Sequence, residues 1–380
     1  MHNRSLILTV ALLSAASGVA RAQVVRQIPT DNTAYGTTAA EFLLLAPTAR
    51  GMALGNSFSA LVTDISALHF NPAGLSQMAR PELGASSTNY IAGTKYNWVG
   101  VAMPFGGGSR AVGFSVGSFG FSDQPVYTVN DPTGSSGEHY SVSETFFAVT
   151  YSQQFSDRFA AGFTGKYISD RLGDVTGNAF AVDFGTSFHA NLGGKAIRAA
   201  FTITNLGGSL QHTGKALDAL VNREPPTGQD PVPQEPAVAS LKSKEWALPI
   251  QFRVALAYDL ISTSMSRLSL MGEFTQPNNN DPIYSFGSEY DVRLGSSGFS
   301  LVPRASYTTQ PANNLDPAAA GSTGYAGFNS SVSTSGEGLA LGGGINYRKS
   351  PTSLGFGVDY AWRNFGLLGN INTISLGMTW

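Results

Sequence analysis

The feature that most constrains this chain is a two-residue rhythm in which neither face suits a soluble sheet. Near the end, Ile374, Leu376, Met378 and Trp380 fall on one face and Ser375, Gly377 and Thr379 on the other. Leu354, Phe356, Val358, Tyr360 and Trp362 alternate with Gly355, Gly357, Asp359 and Ala361, and Phe180, Val182, Phe184 and Phe188 with Ala181, Asp183, Gly185 and Ser187. Ile250, Phe252, Val254, Leu256 and Tyr258 repeat the pattern. Side chains in a strand point to opposite faces in turn, so such stretches read as strands. A soluble sandwich turns its bulky face inward and a charged face outward. Here the second face is Gly, Ala, Ser and Thr with an occasional charge, too small to build a packed core. The bulky face is therefore expected to meet lipid and the small polar face a lumen, as in a transmembrane outer-membrane β-barrel.

Composition agrees. Charged residues make up 13% of the 380-residue chain, against about 25% in ordinary soluble chains. The 14 Tyr, 23 Phe and 4 Trp exclude a disordered polymer. A formal net charge of -2 leaves no basic footprint for nucleic acid. Cysteine is absent, which removes disulfides, thiolate zinc sites and thiol nucleophiles from consideration and suits an oxidising compartment.

Residues 1–22 read as a cleaved signal peptide: Arg4 starts it, Leu6 to Leu13 form its apolar stretch, and Ala20-Arg21-Ala22 supplies an A-x-A site before Gln23. No later run of 18 apolar residues could form a transmembrane helix. Fourteen strands are expected, near 82–91, 94–105, 111–121, 142–154, 158–170, 178–189, 196–206, 247–259, 265–275, 282–293, 298–308, 337–348, 352–363 and 370–380. Short connections such as 106–110, 156–157, 191–194, 295–297 and 349–351 alternate with positions that include the three longest gaps, 122–141, 207–246 and 309–336. Bacterial barrels have short periplasmic turns and long extracellular loops, so the C-terminus is expected on the periplasmic side. The 207–246 gap, with five prolines between Pro225 and Pro236, is not expected to form a strand pair.

Within the segment 23–81, residues 35–80 do not alternate. Ala39 to Leu45 and Ser57 to Val62 look like short helices or turns broken by Pro47, Gly51 and Gly55. They are too apolar for water and too short to span a membrane, so the segment is expected to plug the lumen of the barrel formed by 82–380, whose interior is wider than its small inward side chains can fill. Phe42, Leu43, Leu44 and Phe58 either pack the plug or line an apolar groove. Asn71-Pro72-Ala73-Gly74 reads as a turn, because the residue before Pro avoids the helical region and Asn bonds its own backbone. It is either the end of a short helix or a latch.

Ala39-Ala40-Glu41-Phe42-Leu43, Ala49-Arg50-Gly51-Met52-Ala53-Leu54-Gly55 and Asp64-Ile65-Ser66-Ala67-Leu68-His69-Phe70-Asn71-Pro72-Ala73-Gly74-Leu75 together resemble the N-terminal signature of the PorV/PorQ outer-membrane proteins. These are relatives of the FadL long-chain fatty-acid transporters. The likeness continues through Phe155 to Phe159, Thr202 to Gly207 and Leu248-Pro249. It implies a FadL-like barrel with an N-terminal hatch, and Trp380 as the signal read by the outer-membrane assembly machinery. It also implies a component of type IX-like secretion that binds exported cargo proteins through extracellular loops. The alternative is a channel in which the plug relays a hydrophobic small molecule inward.

No cofactor, metal or catalytic site is expected. His69, His139, His189 and His212 are too scattered for a helical metal pair, and nothing marks a nucleophile elbow around His189. Alternation directs Lys166, Asp183, Arg198, Arg253, Glu273, Glu289, Asp291, Arg304 and Asp359 into the lumen. Unpaired charges beside an apolar plug are costly, so these are expected to pair with one another and with the plug. Their mixed signs argue against an ion-selective lining.

Overall fold

The computed structural model describes residues 36–221, 236–309, 338–350 and 352–380. The expected signal peptide and all of the 309–336 gap except Thr309 lie outside them. Fourteen long strands are present among the described residues: β1 (Glu82–Asn89), β2 (Lys95–Phe105), β3 (Arg110–Pro125), β4 (His139–Ser156), β5 (Phe159–Leu172), β6 (Val175–Leu192), β7 (Lys195–Gly207), β8 (Gln251–Ser262), β9 (Ser266–Pro277), β10 (Ile283–Arg293), β11 (Phe299–Thr309), β12 (Leu339–Arg348), β13 (Gly355–Asn364) and β14 (Asn370–Thr379). Each pairs antiparallel with its neighbours in sequence, and β1 closes on β14 from Glu82↔Thr379 to Asn89↔Asn372. Closure leaves no edge, so every wall strand has a hydrogen-bonded neighbour on both sides, which a lipid environment requires of a sheet.

Burial follows the rhythm of the sequence. On β6, Phe180, Val182, Phe184 and Phe188 are exposed, Phe180 at 72%, while Gly177, Ala179, Ala181, Asp183, Gly185 and Ser187 are buried. A phenylalanine that exposed has no reason to face water along a whole wall; it faces lipid, and the chain is a transmembrane β-barrel. Inside, hydroxyls bond across strands, as Thr150 with Thr164 at 2.8 Å and Thr88 with Thr373 at 2.7 Å.

The 207–246 gap differs from expectation. Residues 209–210 pair with 246–247, 212–214 pair with the first residues of β6, Val175 to Gly177, where it extends past β7, and Asp218–Val221 pairs with Ala237–Ser240. The prolines do not prevent this because Pro225, Pro226, Pro231 and Pro233 fall outside the paired residues, and Pro236 immediately precedes the returning strand.

The segment before β1 fills the lumen. Its elements are a 3-10 turn at Glu41–Leu44, α1 (Ala49–Ala53), α2 (Ala67–Phe70) and a 3-10 turn at Pro72–Gln77. It enters at the long-loop end, where Ala39 N–H donates to Ala247 O at 3.0 Å, and leaves at the short-turn end into β1. Gly51 does not break the segment, as the sequence suggests, but lies within α1; a side chain there would meet the Phe70 ring at 2.4 Å. Residues 57–62 form turns rather than a helix. The main apolar cluster is shared, with Phe58, Leu61, Leu68, Phe70 and Leu75 from the plug against Trp98, Phe146 and Ile168 from the wall.

Candidate functional site

The plug is seated by a turn whose two functions coincide. Asn71 ends α2 and caps the following 3-10 turn, its Oδ1 accepting from Ala73 N–H at 3.1 Å. Its Nδ2 donates to Ser59 O at 2.9 Å within the plug and to Thr186 O at 3.1 Å on the wall. Pro72, Ala73 and Gly74 are buried beside it. Ser152 on β4 donates to Ala73 O at 3.1 Å and accepts from Ser76 N–H at 3.2 Å, and Gln77 donates to Ser187 on β6. The opposite side of the plug is tied as well: Ala49 N–H donates to Ser375 Oγ at 2.8 Å, and Ser306 Oγ donates to Ala53 O at 2.9 Å.

Nearer the long-loop end, the plug side chain Phe42 enters an aromatic recess. Its ring centroid lies 6.4 Å from Tyr96 on β2, 6.4 Å from Phe119 on β3 and 6.1 Å from Phe146 on β4. Three adjacent strands thus present one ring each, and Tyr90 closes on Phe119 at 5.8 Å. Tyr96 is fully buried and its hydroxyl has no partner among the described residues. Leu43 is buried, Leu44 is only half-buried, and Phe58 packs on Phe70 at 4.7 Å with Arg50 above its ring.

All nine charges assigned to the lumen by alternation lie on the inner face of their strands. Lys166 pairs with Asp183 at 2.7 Å and donates to Asn205 Oδ1 at 2.8 Å. Arg198 grips Asp259 with two bonds of 2.9 Å, the fork geometry that makes arginine a strong carboxylate partner. Arg253 lies 3.9 Å from Glu273, which accepts from the plug amide of Ser59 at 3.1 Å. Glu289 is the centre of the largest group: Arg50 reaches it through Nε and Nη2 at 2.7 and 2.8 Å, Arg304 through Nε at 2.8 Å, and Arg50 also holds Asp64 at 2.6 Å. Arg304 bonds Asp359 as well. Asp291 makes no ion pair among the described residues and its Oδ1 is buried without a partner. Sequence reasoning missed Arg50, the single plug cation that joins plug to wall here, because it lies where no alternation operates.

Below this network, toward the short-turn end, the plug leaves a cavity of about 950 Å³ against β9 to β14 and β1. Its lining includes the inner positions Gly355, Gly357 and Gly377, the first two covered by the side chains of Arg348 and Asn346. No cluster of His, Asp or Glu among the described residues could hold a metal. His189 lies 2.9 Å from Ser187 Oγ, but its cross-strand neighbour is Arg198 rather than a carboxylate.

A closed wall of fourteen strands, an apolar exterior and a hydrogen-bonded internal plug define a plugged transmembrane barrel. Structures of this build include the monoaromatic hydrocarbon channel CymD, 12% identical over 88% of this chain and 96% of that one with a TM-score of 0.49. The Ralstonia pickettii toluene transporter TbuX matches at 12% identity over 88% and 97%, TM-score 0.48, and a Pseudomonas aeruginosa FadL homologue at 10% over 88% and 98%, TM-score 0.46. No protein-family model and no curated protein matches the sequence.

Proposed function

We propose that the protein is an outer-membrane channel for small apolar molecules, oriented with its short turns and C-terminus in the periplasm, and that its N-terminal segment is the gate. The observation that carries this reading is the recess around Phe42. Three wall strands contribute rings to a site whose occupant is a side chain of the plug, so an apolar ligand and Phe42 compete for the same surface. Burying such a ring is worth about 1.5–3 kcal/mol, small enough for a ligand to displace. Purified protein should bind toluene or palmitate saturably, Phe42→Ala should bind more tightly, and Phe119→Asn with Phe146→Asn should bind less. Absence of saturable binding of either probe to wild type and to Phe42→Ala would overturn the reading.

A second reading, a secretion component that captures exported proteins, is favoured by one observation. The hairpin of 218–221 and 237–240 exposes its directly paired Leu220 and Val238 at 73% and 70%. The other loop on which this reading depends, 310–330, lies outside the described residues. Pull-down of exported proteins by wild type, but not by a variant lacking 215–240, would support it.

A further inference from the structure

We propose that the cavity at the short-turn end is a binding site for a small soluble oxyanion of the phosphate class, held between Arg348 and Arg80. Seven cations and five carboxylates line the cavity. The deep charges are engaged with one another: Arg50, Arg267 and Arg304 bind Glu289, and Asp64 and Asp359 complete that group. The excess is at the mouth, where Arg80, Arg293, Arg348 and Lys349 face only Glu82 and Asp291.

Arg348 is set for recognition rather than for solvation. It leaves the end of β12 over Gly355, where a side chain would meet Nε and Nη2 at 2.8 Å, and Nη2 donates to Thr379 Oγ1. Its Nε is buried and has no acceptor among the described residues. Arg348 and Arg80 line the same cavity, and neither has a carboxylate within 4 Å among the described residues. Glu82, also in the lining, has its Oε2 accepting from Ile65 N–H at 3.2 Å. Two guanidinium groups lining one polar space without a carboxylate partner, one with a buried donor unused, are stabilised by a doubly charged oxyanion between them. A planar fork favours phosphate geometry over chloride.

The test uses the full mature chain in a maltoside detergent, with inorganic phosphate as probe and calorimetry as readout. Saturable binding in the micromolar to millimolar range is expected, lost by about tenfold or more in Arg348→Gln and in Arg80→Gln and partly kept in Arg348→Lys. Arg171→Gln, whose side chain lies on β5 away from the cavity, should bind as wild type. Heat-modifiable gel mobility verifies that each variant keeps a folded barrel. Short-chain phosphatidylglycerol separates the sources: if it competes while a soluble phosphate monoester does not, the site reads lipid and the soluble ligand is wrong. No saturable phosphate binding, or equal binding by the folded Arg80→Gln/Arg348→Gln double variant, overturns the proposal.

Discussion

Gly162 on β5 stands directly opposite Gly185 on β6, and the Asn71–Pro72 turn of the plug occupies the space their two side chains would take. A Cβ on Gly185 would lie 2.2 Å from Asn71 Oδ1, and one on Gly162 would lie 2.4 Å from the Pro72 carbonyl carbon. The second contact is with backbone, which cannot rotate away. Gly162→Ala should therefore unseat the plug at a cost of about 1–3 kcal/mol, the usual penalty of overpacking, while the wall still closes. Single-channel conductance should rise and heat-modifiable mobility should persist; unchanged conductance would contradict this seat.

Asn71→Ala removes the donor to Ser59 O and Thr186 O together with the cap on Ala73. Leaving buried carbonyls without partners costs about 1–3 kcal/mol. Urea unfolding followed by gel mobility should register that loss, and Asn71→Asp, which keeps the cap acceptor but not the donor, should recover only part of it.

Arg50→Ala should be more damaging than either. It removes two of the bonds to Glu289, leaving that carboxylate to Arg304 and Arg267, and takes from Asp64 its only cation among the described residues; removing one partner of a buried ion pair costs about 3–5 kcal/mol. Protease should then cut within 45–65 in the folded barrel. The Arg50→Met/Glu289→Met double variant, which removes the most buried carboxylate of the group while Arg304 keeps Asp359, should be less accessible than the single variant.

Acid should act on the β3–β4 loop in a specific window. Backbone N–H groups of Ser136 and Ser135, with the hydroxyls of Ser135 and Thr133, hold the Asp131 carboxyl well below the usual range for aspartate. A depressed folded value means the carboxylate supports the loop fully above the ordinary aspartate value and loses that support only as pH falls through the lowered one. Amide exchange at Ser135 and Ser136, corrected for intrinsic pH dependence, should stay slow at mildly acidic pH and accelerate below it. In Asp131→Asn it should be fast at neutral pH.

Trp380 follows β14 beside β1, its backbone N–H donating to Pro81 O at 3.3 Å, and the residue is 41% exposed. Aromatic side chains favour the membrane interface. Deleting Trp380 should lower the amount of protein in the outer-membrane fraction more than it lowers the stability of protein already folded; equal amounts in that fraction would remove its role in assembly.

The wall was legible because period-two patterning is local: each of the fourteen strands announces itself through residues such as Phe180, Val182 and Phe184, and the same parity directs Asp183 and Glu289 inward. Partners were not legible. Asp259 belongs to Arg198 through pairing between β7 and β8, and Arg50 meets Glu289 across 239 residues of chain, information that no window of sequence contains. The recess shows the same limit. Phe42 was visible as an apolar plug residue, but its setting among Tyr96, Phe119 and Phe146 depends on barrel register. The strand pair 218–221/237–240 is not legible from proline content, because the prolines of this gap are concentrated outside the paired positions.

The bond from Ala49 N–H to Ser375 Oγ joins positions 326 residues apart. The helix that is synthesised near the beginning cannot find its acceptor until the last strand has been added, and contacts of such sequence separation form late because the chain between them must first be ordered. Maturation is therefore directional: the plug gains this bond only in a molecule whose wall includes β14.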